Sequence, residues 1–176
     1  MSSLRDSRGQ NIGNYVNAFP ISQLFTTYGI EYEMEWEELA VPAGQKAYLK
    51  WALPADKYCA LSTRLVQMDQ ERGSYKAFTT FVDGTLGDTV PLIKLRLNSP
   101  LDSGSVFTKM TGPTGIDQNS KIVSIPLIGS PSQGNTPVQG DLSSDSSYRL
   151  YPPGTEILIE FDYQSASASY FQLVGS

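Results

Sequence analysis

The chain of 176 residues contains no histidine and a single cysteine, Cys59. Without an imidazole, Ser-His-Asp and Cys-His nucleophile pairs, HExxH zinc sites and histidine acid–base chemistry are all excluded. One thiol closes no intrachain disulfide and falls short of the thiolates that a cysteine zinc site needs. Within "DKYCALSTRL", Cys59 is therefore expected to serve as a small buried hydrophobe. Neither a G-x-G-x-x-G nor a G-x-x-x-x-G-K-[ST] phosphate loop occurs. No run approaches the roughly 18 apolar residues of a membrane-spanning helix, so no membrane partner is expected. The opening "MSSLRDSRGQNIGNY" has no apolar h-region, which predicts no secretory leader. Basic charge is sparse as well. Thirteen Lys and Arg face eighteen Asp and Glu, for a net charge of −5, and they are scattered. Nucleic acid binding calls for a basic patch or stripe, so no nucleic acid partner is expected.

What the chain does have is β texture. From Ile30 onward, short runs alternate apolar and polar residues: "IEYEMEW", "KAYLKWAL", "YCALSTRLVQM", "SYKAFTTFV", "VPLIKLRL", "SVFTKM", "KIVSIPLI", "TEILIEFDY" and "SYFQLV". They are rich in Tyr, Phe, Val, Ile and Thr and are separated by Gly, Pro, Asn, Asp and Ser, as strands are. The spacing predicts an all-β fold, an antiparallel β-sandwich or jelly roll, over residues 30–176. Pro91 and Pro126, inside apolar runs, predict edge strands or bulges. "DGTLGD", Asp83 to Asp88, reads as a turn, since it lacks the order of a calcium loop.

Two stretches depart from this pattern. Residues 1–29 are polar with spaced apolar side chains, which predicts an extended N-terminal arm pinned onto its own domain or a neighbour. Tyr15, Phe19, Leu24, Phe25 and Tyr28 are its candidate partner-interface residues. Residues 129–147, "GSPSQGNTPVQGDLSSDSS", read as a long loop suited to reaching a neighbouring subunit.

The most conspicuous candidate site is "EYEMEWEELAVPAGQKAYLKW", where Glu31, Glu33, Glu35 and Glu37 occupy every second position. On a strand, alternate residues share a face about 6.5–7 Å apart. That spacing fits the roughly 6.5–9.5 Å between the carboxylates of an inverting glycosidase, so spacing alone does not dismiss a hydrolase. Parity places Tyr32, Met34 and Trp36 on the opposite face, where they orient a core strand. A tight hairpin through "PAGQ" would set Trp36 against Trp51, Met34 against Leu53, Glu37 against Lys50 and Val41 against Lys46. Alternatively, the chain switches sheets at this turn and keeps the faces but loses the pairs. Glu38 breaks the parity and predicts a bulge or an exposed end. Either way the glutamates read as a solvated or partner-facing surface. Tyr148, Tyr151, Tyr163 and Tyr170 read as core or interface residues rather than a sugar-stacking platform.

The order of "VPAGQKAYLKWALP", "VPLIKLRLNSP" and "YRLYPPGTEILIEFDYQSAS" resembles that of small β-sandwich virion proteins of tailed bacteriophages, which include capsid decoration (cement) proteins. The resemblance covers roughly residues 35–170 and is one of pattern. It implies a non-enzymatic structural protein of the virion, assembled in the host cytoplasm, without cofactor or metal. Its partners would be the major capsid protein or other virion proteins, and sister subunits in a homo-oligomer. Collar, head–tail and tail parts share such scaffolds, as do glycan- or receptor-binding modules of phage appendages.

Overall fold

The alternating runs form twelve strands in the computed structural model, which describes residues 32–42, 44–60, 63–68, 72–95, 98, 100–128, 150–164 and 169–175. In chain order these are β1 (Tyr32–Val41), β2 (Lys46–Ala52), β3 (Cys59–Ala60), β4 (Thr63–Met68), β5 (Arg72–Phe78) and β6 (Thr85–Val90). They continue as β7 (Leu92–Lys94), β8 (Val106–Thr111), β9 (Lys121–Ile128), β10 (Leu150–Tyr151), β11 (Glu156–Tyr163) and β12 (Ser169–Gly175). A single 3-10 turn, Gln118–Ser120, interrupts the strands among the described residues. The fold is all-β, as expected. The chain divides into a large unit, Glu33–Ile93 with Gly104–Ser176, and a smaller one that holds Tyr32 and Lys94–Ser103. In the smaller unit the Tyr32 hydroxyl donates to the Leu101 carbonyl at 2.6 Å.

Two larger sheets are built in the orders β4-β12-β1-β7 and β6-β8-β2-β11-β5-β9, and β10 pairs with β3 in a two-stranded ribbon. The centre of the six-stranded sheet is β11, antiparallel to β2 on one side and to β5 on the other. Its register sets Ile157 across from Trp51, Ile159 across from Leu49 and Ala77, and Phe161 across from Tyr75. These residues share one continuous core with Met34, Trp36 and Val41 of β1, so both sheets contribute to it. Trp51 stacks on Phe107, with centroids 5.4 Å apart and planes 7° from parallel, and takes Tyr151 edge-on. Full burial of each large apolar side chain contributes roughly 1.5–3 kcal/mol, so this cluster dominates the stability of the large unit.

The first strand behaves as its alternation requires. Met34 and Trp36 are 1% exposed, whereas Glu35 and Glu37 are exposed. The tight hairpin, however, does not form. β1 pairs with β12 and β2 pairs with β11 and β8, so Trp36 is opposite Leu173 rather than Trp51. The pairs Met34–Leu53, Glu37–Lys50 and Val41–Lys46 are lost with it. The chain changes sheets at the turn after Val41, where Gln45 N–H bonds the Pro42 carbonyl at 3.1 Å and Gly44 holds φ at 70°. Trp36 and Trp51 thereby enter one core from two different sheets. The parity break at Glu38 is a register shift between Glu38 and Val41 in the β1–β12 ladder, as a bulge requires.

Proline marks the edges. Pro126 lies in β9, at one border of the six-stranded sheet, where a missing N–H costs no ladder bond. Pro91 separates β6, the other border of that sheet, from β7 at the border of the four-stranded one. The turn expected at Asp83 to Asp88 is corrected: Thr85–Val90 is strand β6 on the edge of β8. Gly87 and Asp88 sit at its register shift between Leu86 and Thr89, which is why the segment looks like a turn in sequence. Cys59 is half-buried rather than buried, packs against the main core, and rests its Sγ 3.7 Å from Ser105 Oγ.

Trp36→Ala is expected to cost about 3–5 kcal/mol in denaturant unfolding, and Glu35→Ala, on the exposed face, considerably less. Equal effects of the two substitutions would contradict the assignment of the β1 faces.

Candidate functional site

Because side chains alternate along a strand, β2, β5 and β11 present a second row on the face opposite the main core. That row carries Lys46, Tyr48 and Lys50 from β2, Ser74, Lys76 and Phe78 from β5, and Glu156, Leu158, Glu160 and Asp162 from β11. Residues far apart in sequence are thus set side by side.

Glu160 is the centre of the row and is 2% exposed. Lys46 Nζ reaches its Oε2 at 3.0 Å, and Lys76 Nζ reaches its Oε1 at 3.3 Å and Asp162 Oδ2 at 3.2 Å. A buried carboxylate costs several kcal/mol unless it is paired and hydrogen-bonded, and two flanking ammonium groups supply that pairing. Tyr48 lies on the same face. Its phenol is pushed up to about 12, first by burial, then by repulsion from the Glu160 carboxylate, by its hydrogen bond to Glu160, and by the Asp162 charge. Nearby, Ser74 is buried and its Oγ has no hydrogen-bond partner among the described residues.

A second ion cluster lies further along β2. Lys50 is 8% exposed and donates to Asp83 Oδ2 at 2.6 Å and to Glu156 Oε1 at 2.8 Å, with the Phe81 ring centroid 5.9 Å away. Burial pulls the Lys50 pKa down, but the hydrogen bonds and charges of Asp83 and Glu156 outweigh it and leave it raised. Beside the glutamate row, Glu38 accepts from Trp36 Nε1 at 2.9 Å and pairs with Lys109 at 2.9 Å, and Lys109 Nζ also donates to the Glu37 carbonyl at 3.5 Å. Glu38 was not part of the alternating set, and the bulge turns it toward this neighbour.

The arrangement is suited to bracing. Each buried charge sits between strands and is matched by charges on the adjoining ones. Among the described residues no group of three or more carboxylates and thiols is arranged to hold a metal ion, and no helix is long and apolar enough to cross a membrane. Tyr151 is half-buried and Tyr163 is 1% exposed, in keeping with core roles. Tyr15, Phe19, Leu24, Phe25 and Tyr28, the arm as a whole and the loop 129–147 lie outside the described residues. The Glu160 and Lys50 clusters were missed in sequence, because their partners are up to 114 positions apart. The one signal was "EFDY", where two acids interrupt an otherwise apolar strand. Comparison with protein-family models, with curated proteins and with solved structures finds none that matches.

Tyr48 has a folded-state pKa above its unfolded value of 10.0. The folded state therefore holds the phenolic proton more tightly, and that contribution to stability is complete below pH 10 and lost as pH rises toward 12. Urea midpoints measured between pH 9 and pH 12 should fall less steeply in Tyr48→Phe than in the wild type. The raised Lys50 titrates in the same direction, so the fall is expected to be reduced rather than abolished.

Proposed function

We propose that this chain is a non-enzymatic structural protein of a tailed-phage virion, a capsid decoration protein that binds the major capsid protein. The two sheets then form a β-sandwich around their shared core, and sister subunits assemble as a homo-oligomer. The observation that carries the reading is where the resembling segments fall in the fold. "VPAGQKAYLKWALP" makes the corner at which the chain passes from β1 in one sheet to β2 in the other. "VPLIKLRLNSP" begins at the second passage between sheets, from β6 to β7. "YRLYPPGTEILIEFDYQSAS" supplies the turn closed by Thr155 N–H on the Pro152 carbonyl, at 3.3 Å, and then the central strand β11. The segments behind the resemblance are thus the ones that set the path of the chain.

The use made of carboxylates agrees with this reading. Glu160, Asp162 and Glu156 brace strands, and Glu35 and Glu37 form an outward acidic face suited to a basic neighbour. Weak contacts of this kind gain strength through repetition on a symmetric shell. A glycan- or receptor-binding module of a phage appendage is the second reading, favoured by Tyr58, which is 68% exposed. Glycan-array binding lost on Tyr58→Ala would support that module over pure cement.

The N-terminal arm, with Tyr15, Phe19, Leu24, Phe25 and Tyr28, is proposed as the capsid- or sister-binding element. Deleting residues 1–25 should abolish co-sedimentation with particles while circular dichroism and unfolding still report a folded β domain. Undiminished co-sedimentation of the truncated, folded protein would overturn the role of the arm.

A further inference from the structure

The outer face of the six-stranded sheet carries its own small apolar cluster, separate from the main core. Phe78, Met110 and Leu158 are buried in it, and Tyr48, Phe81 and Ile116 pack against them. Two connections supply the covering residues: 79–84, between β5 and β6, and 112–120, between β8 and β9.

These connections are bound to each other. Val82 and Thr114 exchange backbone hydrogen bonds at 2.8 and 3.1 Å, and Asp117 N–H donates to the Thr80 carbonyl at 3.0 Å. Thr80 N–H donates to Ser120 Oγ at 3.1 Å, and Thr79 Oγ1 donates to the Ser120 carbonyl at 3.3 Å. Their hold on the sheet is of a different kind. Gly84 lies so close to the strand below that a Cβ would overlap the Thr111 carbonyl oxygen and come within 2.7 Å of the Gly112 carbonyl carbon. Its N–H points at Met110 Sδ at 3.5 Å. The charged tie is Lys50, which grips Asp83 of the first connection while also holding Glu156 of β11.

We propose that residues 79–84 and 112–120 form a clasp that opens as one cooperative unit above an intact sheet, latched by the Lys50–Asp83 ion pair. Three features lead to this. The two connections are hydrogen-bonded to each other at Val82 and Thr114, at Thr80 and Asp117 and at Thr79 and Ser120, so they move as a piece. It covers three buried side chains, whereas the main cluster buries fourteen, so its opening exposes far less apolar surface than global unfolding. On opening, Lys50 keeps Glu156, so release of Asp83 strands no buried charge. The open form uncovers Phe78, Met110 and Leu158 beside the exposed edge strand β6. The clasp is independent of the function proposed above.

The test is native-state amide hydrogen exchange by NMR on the full chain, comparing wild type with Asp83→Ala and, as a second variant, Lys50→Met. Asp83 is exposed, so its truncation is tolerated by the fold. In the wild type, the amides of Val82, Thr114 and Asp117 should exchange faster than those of Ile157, Ile159 and Phe161. In Asp83→Ala the first set should speed up by about tenfold or more, as loss of a charge-assisted hydrogen bond predicts, with the second set unchanged. Lys50→Met should produce the same local pattern wherever it folds. Clasp amides that exchange together with β11, or that do not respond to Asp83→Ala, would overturn the proposal.

Discussion

The structure depends on one constraint: β11 is buried on both faces and carries a carboxylate in its middle. On the inner face Ile157, Ile159, Phe161 and Tyr163 enter the main core, and on the outer face Leu158 and Glu160 are covered as well. Glu160 is tolerable there only with Lys46 and Lys76 on the flanking strands. A slip of one residue in either ladder would turn those lysines into the main core and leave the carboxylate without them. Ion pairing and apolar packing therefore select the same register in the three central strands. That agreement between levels is what gives a sequence a single well-defined sheet.

Outward from β11 the burden on each strand falls. β2 and β5 bury their inner rows and carry the lysines, and β8 adds Phe107 and Met110. The borders are managed by simple devices: Pro126 in β9, and a register shift at Gly87 and Asp88 in β6. In the other sheet, β1 gives Met34 and Trp36 to the core and turns Glu35 and Glu37 outward. The charged groups at the centre are thus committed to holding strands.

How much of this was legible in the sequence depends on what each signal encodes. Alternation encodes faces, so the inward Met34 and Trp36 and the outward Glu35 and Glu37 could be read directly, and so could the edge position of Pro126. Alternation does not encode partners. A hairpin through "PAGQ" and a passage between sheets leave the same faces in β1 and β2, and only the partners, β12 for β1 and β11 and β8 for β2, separate them. β6 was hidden because Gly87 and Asp88 have poor strand propensity, and its pairing is supplied by β8 more than by its own residues. The Glu160 and Lys50 clusters are products of register among β2, β5 and β11, and no local pattern announces them. The arm residues proposed for partner binding fall outside the described structure, so they rest on sequence alone.

Whether this scaffold belongs to a phage shell is tested most directly by imaging gold-labelled protein on tailed-phage particles by electron microscopy. The account predicts label distributed over the capsid shell at regular, repeated positions. Label confined to the neck or tail tip, or absent from particles altogether, would contradict it.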